Sequence, residues 1–271
     1  MNEKELAIKK LLLSVLEAIF EPSDVYQGFI VKVIPKELKK EGQYKNFERT
    51  IQLNNLTRSP IELYLTCLKC LALHIDTVNI EFFQESEGAY PILQKLIEAS
   101  LELGLFSIQE IDELEQRGKI EDIVANCGNS DVWTLRYPLS PVAFDVYVLN
   151  GYTIKGDLRK NGYVYQKEGR TWHKSFASQE EAIQEKERLW ETAAEIKVEV
   201  TTKLERNFDF DYYVAVKPNL ELNDLFQQHG YTYDAYGVKK HYVKKVPTKK
   251  FFQEREFLML YEVPFSIKIP K

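Results

Sequence analysis

The sequence predicts an α+β protein, with a mostly helical N-terminal domain over residues 1–130 followed by an α+β domain over 131–271 made of two tandem βαββα-like repeats. Three observations carry this expectation. Helix-start signals of the form Ser-x-x-Glu stand at Ser59, Ser107 and Ser178. After Gly128 the helical spacing gives way to aromatic and β-branched runs. The C-terminal half also repeats itself at a constant offset of 68 residues.

Taken in order, residues 3–20 read as an amphipathic helix, with Leu6, Leu13, Leu16 and Phe20 near helical spacing, and Glu21 to Asp24 end it. Phe29–Ile34 and Thr50–Leu53 read as strands, the first stopped by Pro35. Ser59 caps a helix whose first position is Pro60, running to the neighbourhood of His74. Further helices are expected over Pro91–Leu103, from Ser107 to near Gly118, and over Ile120–Cys127. Beyond Gly128, Trp133–Tyr137 and Phe144–Leu149 read as strands, Ser178 opens a helix to near Ala194, and Ile196–Thr202 alternates as a half-buried strand.

The repeat pairs residues ~142–203 with ~210–271. Val146, Val148, Gly162, Tyr163, Tyr165, Gly169 and His173 recur as Val214, Val216, Gly230, Tyr231, Tyr233, Gly237 and His241. That is seven identities in 31 ungapped columns, where roughly two are expected from residue frequencies. Ile183 with Phe251 and Leu189 with Phe257 extend the match as apolar positions. Each copy reads as a strand, a short helix stopped by Gly162 or Gly230, a hairpin turning near Gly169 or Gly237, and a longer helix.

Asp157-Leu158, Gly162-Tyr163 and Arg170-Thr171-Trp172 together resemble the HARP domain of DNA-annealing helicases and the related small modules of mobile-element proteins. The resemblance covers about 40 residues, a short α+β module. It implies an accessory module that contacts nucleic acid, with Trp172 on the second hairpin strand, and it suggests a phage or mobile-element origin. The second copy departs from it, with Lys240 in the ungapped place of the Trp, and helicase motor motifs are missing from the sequence.

Composition sets outer bounds. No apolar run reaches the roughly 20 residues of a membrane helix, and the mixed charges of Met1–Lys10 do not read as a signal peptide. Three Cys do not make a disulfide framework. The expectation is a cytoplasmic protein with free thiols, no membrane association and no cofactor. Net charge is −5, unevenly spread. Residues 77–131 hold 12 acids against 3 bases, whereas residues 217–250 hold 7 Lys against 3 acids.

Cys67, Cys70 and His74 share one face of a helix and, with Cys127, could form a zinc site. The simpler account, and the one expected here, is a buried apolar stripe that binds no metal. Asp209 and Asp211 could likewise hold a cation, but more simply flank a strand entrance. Lys239, Lys240, His241, Tyr242, Lys244, Lys245, Lys249 and Lys250 form a basic, Tyr-containing run suited to phosphate attraction and base stacking, with Trp172 and His173 on the equivalent hairpin. The competing account is an edge hairpin protected by lysines. Phosphate-loop, nucleophile-elbow and zinc-hydrolase motifs are missing, which leans away from an enzyme. The expected function is a non-catalytic nucleic-acid accessory protein. The alternative is an adaptor or inhibitor that binds a protein partner through the acidic half or the aromatic hairpins.

Overall fold

The computed structural model describes residues 1–34, 38–167, 170–193 and 195–268, apart from the side chain of Lys249. The expected strand stop at Pro35, the turn at Gly169, the helix end near Ala194 and the Lys249 side chain lie outside the described residues. The chain is α+β, helices first and then two similar sheets.

The N-terminal part runs α1 (Glu3–Glu17), α2 (Asp24–Gln27), β1 (Ile30–Val33), β2 (Gly42–Lys45), β3 (Thr50–Leu53), α3 (Pro60–Val78), a π-helical turn (Asn79–Phe83), α4 (Ala89–Glu102), α5 (Ile108–Gln116) and α6 (Glu121–Cys127). Ser59 with Glu62 and Ser107 with Glu110 form the expected reciprocal caps, and Asn2 with Glu5 forms another on α1. Each such cap stabilises its helix by about 1 kcal/mol. The strands form one sheet in the order β1-β3-β2, with β1 parallel and β2 antiparallel to β3. Strand β2, Gly-Gln-Tyr-Lys, is half-buried throughout, so it has no period-2 pattern to announce it.

The expected strand at Trp133–Tyr137 does not form. A 3-10 turn occupies Ser130–Val132, and the chain beyond it has no ladder partner among the described residues. Its N–H groups bond to carboxylates of α4 instead: Thr134 donates to Glu98 at 3.0 Å, Tyr137 to Glu102 at 3.0 Å, and Arg136 also to Glu102. The Trp133 indole donates to the Cys127 carbonyl at 3.0 Å. Satisfied backbone donors and a buried ring explain how an aromatic stretch stays irregular.

The first C-terminal unit is β4 (Phe144–Leu149), α7 (Lys155–Lys160), β5 (Val164–Gln166), β6 (Thr171–Phe176), α8 (Gln179–Thr192) and β7 (Lys197–Thr202). After α9 (Lys203–Phe208), the second is β8 (Asp211–Val216), α10 (Asn223–Gln228), β9 (Thr232–Tyr233), β10 (Tyr242–Pro247), α11 (Thr248–Leu260) and β11 (Phe265–Lys268). Their sheets have the same order, β5-β6-β4-β7 and β9-β10-β8-β11. Gly162 (φ 81°) and Gly230 (φ 87°) end the short helices in the left-handed region. Tyr163 N–H donates to Leu158 and Tyr231 N–H to Phe226, the same terminating pattern in both copies.

The ungapped offset fails after the hairpin. Trp172 pairs with Val148 and Tyr165, and the residue so placed in the second unit is Tyr242, between Val216 and Tyr233. Neither Lys240 nor His241 fills the places expected of them. The loop from Tyr233 to Tyr242 is two residues longer than that from Tyr165 to Trp172. An even insertion keeps inward side chains inward, so the sheet tolerates it. His173 therefore corresponds to Val243, and His241 sits in the loop. On the long helices the buried residues are Ala182 and Leu189 against Phe251 and Leu258, rather than the Ile183 and Phe257 of the ungapped match.

The inner face of the first unit closes its own apolar cluster, including Val146, Val148, Leu158, Trp172 and Leu189. The inner face of the second, Tyr212, Val214, Val216, Phe226 and Leu258, shares one cluster with the N-terminal helices. Helix α9 joins them. Phe208 is fully buried, with its ring 5.8 Å from that of Tyr64 on α3.

Phe208→Ala is therefore expected to destabilise the protein by about 3–5 kcal/mol. Phe252→Ala, at a residue 67% exposed on α11, should stay within about 0.5 kcal/mol. Urea unfolding of both variants checks this, and equal effects would contradict it.

Candidate nucleic-acid interface

Strand alternation divides the basic run between two faces of the second sheet. Tyr242 and Lys244 lie opposite Val216 and Val214 on the inner face, and Lys245 lies opposite Tyr213 on the outer face. Tyr242 is core, ringed by Phe226 and Tyr233, and its hydroxyl accepts from Gln227 at 3.1 Å. Trp172 is likewise inward and buried, 5.1 Å from the Tyr165 ring. His173 is on the outer face of the first sheet, stacked on Tyr147 at 5.7 Å, and Arg206 lies 3.5 Å over that tyrosine ring. Trp172 and His173 thus belong to the first sheet's two faces, apart from the lysine run on the second.

Lys244 reaches inward to a carboxylate that composition and motif did not single out. Glu254 of α11 is 5% exposed, accepting from the Tyr231 hydroxyl at 2.7 Å and from Lys244 Nζ at 2.5 Å. Burial, then the bond to Glu254, holds the Tyr231 phenol far above the usual tyrosine range. The first unit repeats this arrangement. Tyr163 donates to Glu185 at 3.0 Å, and Lys174 lies 6.0 Å over the Tyr163 ring, as Lys244 lies 5.6 Å over Tyr231. There, however, Arg188 clamps Glu185 and also reaches Asp157 at 3.1 Å. Its hydrogen bond holds Glu185 below the ordinary carboxylate range.

In the second unit Phe257 stands where Arg188 stands in the first, one residue before the buried Leu258 as Arg188 precedes Leu189. His229 stacks on Phe257 at 3.6 Å, with its Nε2 3.7 Å from Glu254. No guanidinium fills this side, and a cleft of about 370 Å³ lies here, lined by His229, Lys244, Lys245, Lys250, Glu254 and Phe257 among others. It follows the part of β10 that β9 does not cover, since β9 pairs only with Tyr242 and Val243.

Outside the cleft, Lys245 pairs with Asp211 at 2.8 Å, which raises its pKa. Asp211 is accordingly occupied at the strand entrance by a lysine. Beside it Tyr213 and Tyr236 stack at 4.6 Å, and Tyr236 is half exposed. Lys239 and Lys240 are exposed on the loop that carries Tyr236, and the Lys239 carbonyl accepts from His241 Nδ1 at 2.9 Å. Lys239 and Lys240 thus lie exposed on the loop, Lys245 on the outer face and Lys250 at the cleft, whereas Lys244 and Tyr242 are on the inner face. The Glu254 signal was present as the spacing from Tyr231, nearly that of Glu185 from Tyr163. A gap in the repeat alignment was needed to see it.

The thiols lie elsewhere. Cys67, Cys70 and Cys127 are buried, and burial lifts Cys70 to about 12 and Cys127 to about 11. Both His74 ring nitrogens are engaged: Nε2–H donates to the Tyr26 carbonyl at 3.1 Å, which leaves Nδ1 to accept from the Tyr44 hydroxyl at 2.8 Å. Among the described residues no three Cys, His, Asp or Glu side chains are grouped to hold a metal.

Burial depresses His74 from 6.5 to about 4. The unfolded chain then binds the extra proton, so the contribution is full above about 6.5 and is lost as pH falls towards 4. The loss should approach about 1.4 kcal/mol per pH unit within that window. Unfolding free energies between these limits should fall less steeply for His74→Gln than for the wild type, and parallel profiles would contradict the assignment.

No protein-family model, curated protein or solved structure matches the chain.

Proposed function

We propose that the protein is a non-catalytic nucleic-acid accessory protein that holds a single strand on the outer face of its second α+β unit. The observation that carries this reading is the exposed Tyr236, stacked on Tyr213, with Lys245 opposite Tyr213 on the same face, Lys239 and Lys240 exposed on the loop that carries Tyr236, and Lys250 lining the cleft with Lys245. An aromatic shelf for a base beside ammonium groups for phosphates is the usual means of binding single strands without sequence preference. Lys244 acts from beneath, neutralising Glu254 so that its carboxylate does not repel the backbone. The resemblance of the first hairpin to HARP-type modules agrees with the reading. The acidic N-terminal part confines a polyanion to the C-terminal side.

The test is fluorescence anisotropy with single- and double-stranded oligonucleotides at low salt. Four lysines acting at about 0.7 per phosphate limit the log–log salt slope to about −3. Lys245→Glu with Lys250→Glu should weaken binding at least ~10-fold, and Tyr236→Ala should cost about 1–3 kcal/mol on single strands only. Absence of binding by the wild type, or binding unchanged in the Lys245/Lys250 variant, would overturn the proposal.

A further inference from the structure

A second surface, on the N-terminal part, has independent features. Helix α3 does not stop cleanly but widens into the π-helical turn Asn79–Phe83, closed by Gln84 in the left-handed region. Such turns are uncommon and concentrate at functional positions. Here the turn exposes three large apolar side chains: Ile80 is 55%, Phe82 49% and Phe83 51% exposed. Phe83 continues an aromatic row, 6.1 Å from Tyr26, which is 5.2 Å from Phe20. The Tyr26 hydroxyl donates to Asn79 at 2.7 Å and fastens the row to the turn. Exposed apolar side chains grouped on one turn, with an aromatic row behind Phe83, mark an interaction site rather than a solvated face.

The rim decides the kind of partner. Glu81 lies within the turn, and Glu85 and Glu87 follow it. Both of the latter act on Tyr26, whose phenol is raised first by burial and then by their charges. Lys95 offsets Glu87 at 2.6 Å. Arg49 shows what this surface accepts: its guanidinium lies 5.2 Å over the Phe82 ring and 3.0 Å from Glu81. A planar cation over an aromatic face, held by a carboxylate at the side, is an arrangement enriched in protein interfaces.

We propose that this turn docks a cationic amphipathic segment of a partner protein, whose apolar side chains cover Ile80 and Phe83 while its arginines or lysines meet Glu81 and Glu85. The occupant follows from charge complementarity at the turn itself, where Asp76, Glu81, Glu85 and Glu87 stand against Arg49 and Lys95. An acidic segment or a nucleic acid would meet repulsion at the same rim. The site is independent of any nucleic acid held by the second α+β unit.

The full-length protein is titrated into a fluorescent amphipathic peptide with a leucine stripe and an arginine face, and into the same peptide with glutamates in place of the arginines. The arginine peptide should bind saturably and more weakly as salt rises, and the glutamate peptide should not bind. Phe82→Ala with Phe83→Ala, and separately Glu81→Lys with Glu85→Lys, should each weaken binding at least ~10-fold. All four substituted residues are exposed or partly exposed, and thermal melts confirm folding. The charge reversal keeps the test valid if the aromatic variant unfolds. Equal binding of the two peptides, no saturable binding, or unchanged binding by the charge-reversed protein would overturn the proposal. So would a concentration-dependent dimer abolished by the Phe82/Phe83 variant without peptide binding, which would make the occupant a second copy of the chain.

Discussion

Helix α3 is buried along nearly its whole length, and the N-terminal elements and α9 are arranged to bury it. Only amphipathic neighbours on several sides can do so: β3 and β2 on one side, α4 on another, α9 on a third. The one strongly polar group it carries into the core near α9, the Tyr64 hydroxyl, is matched by Ser100 of α4 at 2.7 Å. Phe106 and Phe208 meet the Tyr64 ring edge-on, and the helical part and the second α+β unit share one apolar cluster. The first unit stands outside this arrangement and closes a core of its own.

Within the two units the same polar device recurs. A tyrosine just before the first hairpin strand donates to a glutamate of the covering helix, with a lysine from the second hairpin strand over the ring. A buried carboxylate requires compensation, and the two copies supply it differently. Arg188 does so in the first and fills the space beside Glu185. In the second, Lys244 takes the charge from the other side and an uncharged Phe257–His229 stack occupies that place.

Much of the architecture was legible because it rests on local chemistry. The Ser-x-x-Glu signals at Ser59 and Ser107 mark helix starts through bonds made within four residues. Gly162 and Gly230 mark helix ends because the following backbone needs a positive φ. The misreadings occur where a distant partner replaces a local one. Trp133–Tyr137 carries strand-like residues, yet its donors bond to Glu98 and Glu102 of α4. Alternation already divides the lysine run between two faces, but the carboxylates that Lys244 and Lys245 meet, Glu254 and Asp211, come from distant elements.

The sequence by itself determined the α+β class, the helix starts at Ser59 and Ser107, the likeness of the two C-terminal units and the acidic–basic asymmetry, since each depends on residue spacing or on sums along the chain. Only the tertiary structure decided which copy of a repeated residue is equivalent to which, because two inserted loop residues shift the register without changing the face. It also decided which lysines are available to a ligand. Availability depends on the carboxylate each ammonium meets across the fold, and the distance to Glu254 or Asp211 is set by packing rather than by sequence separation.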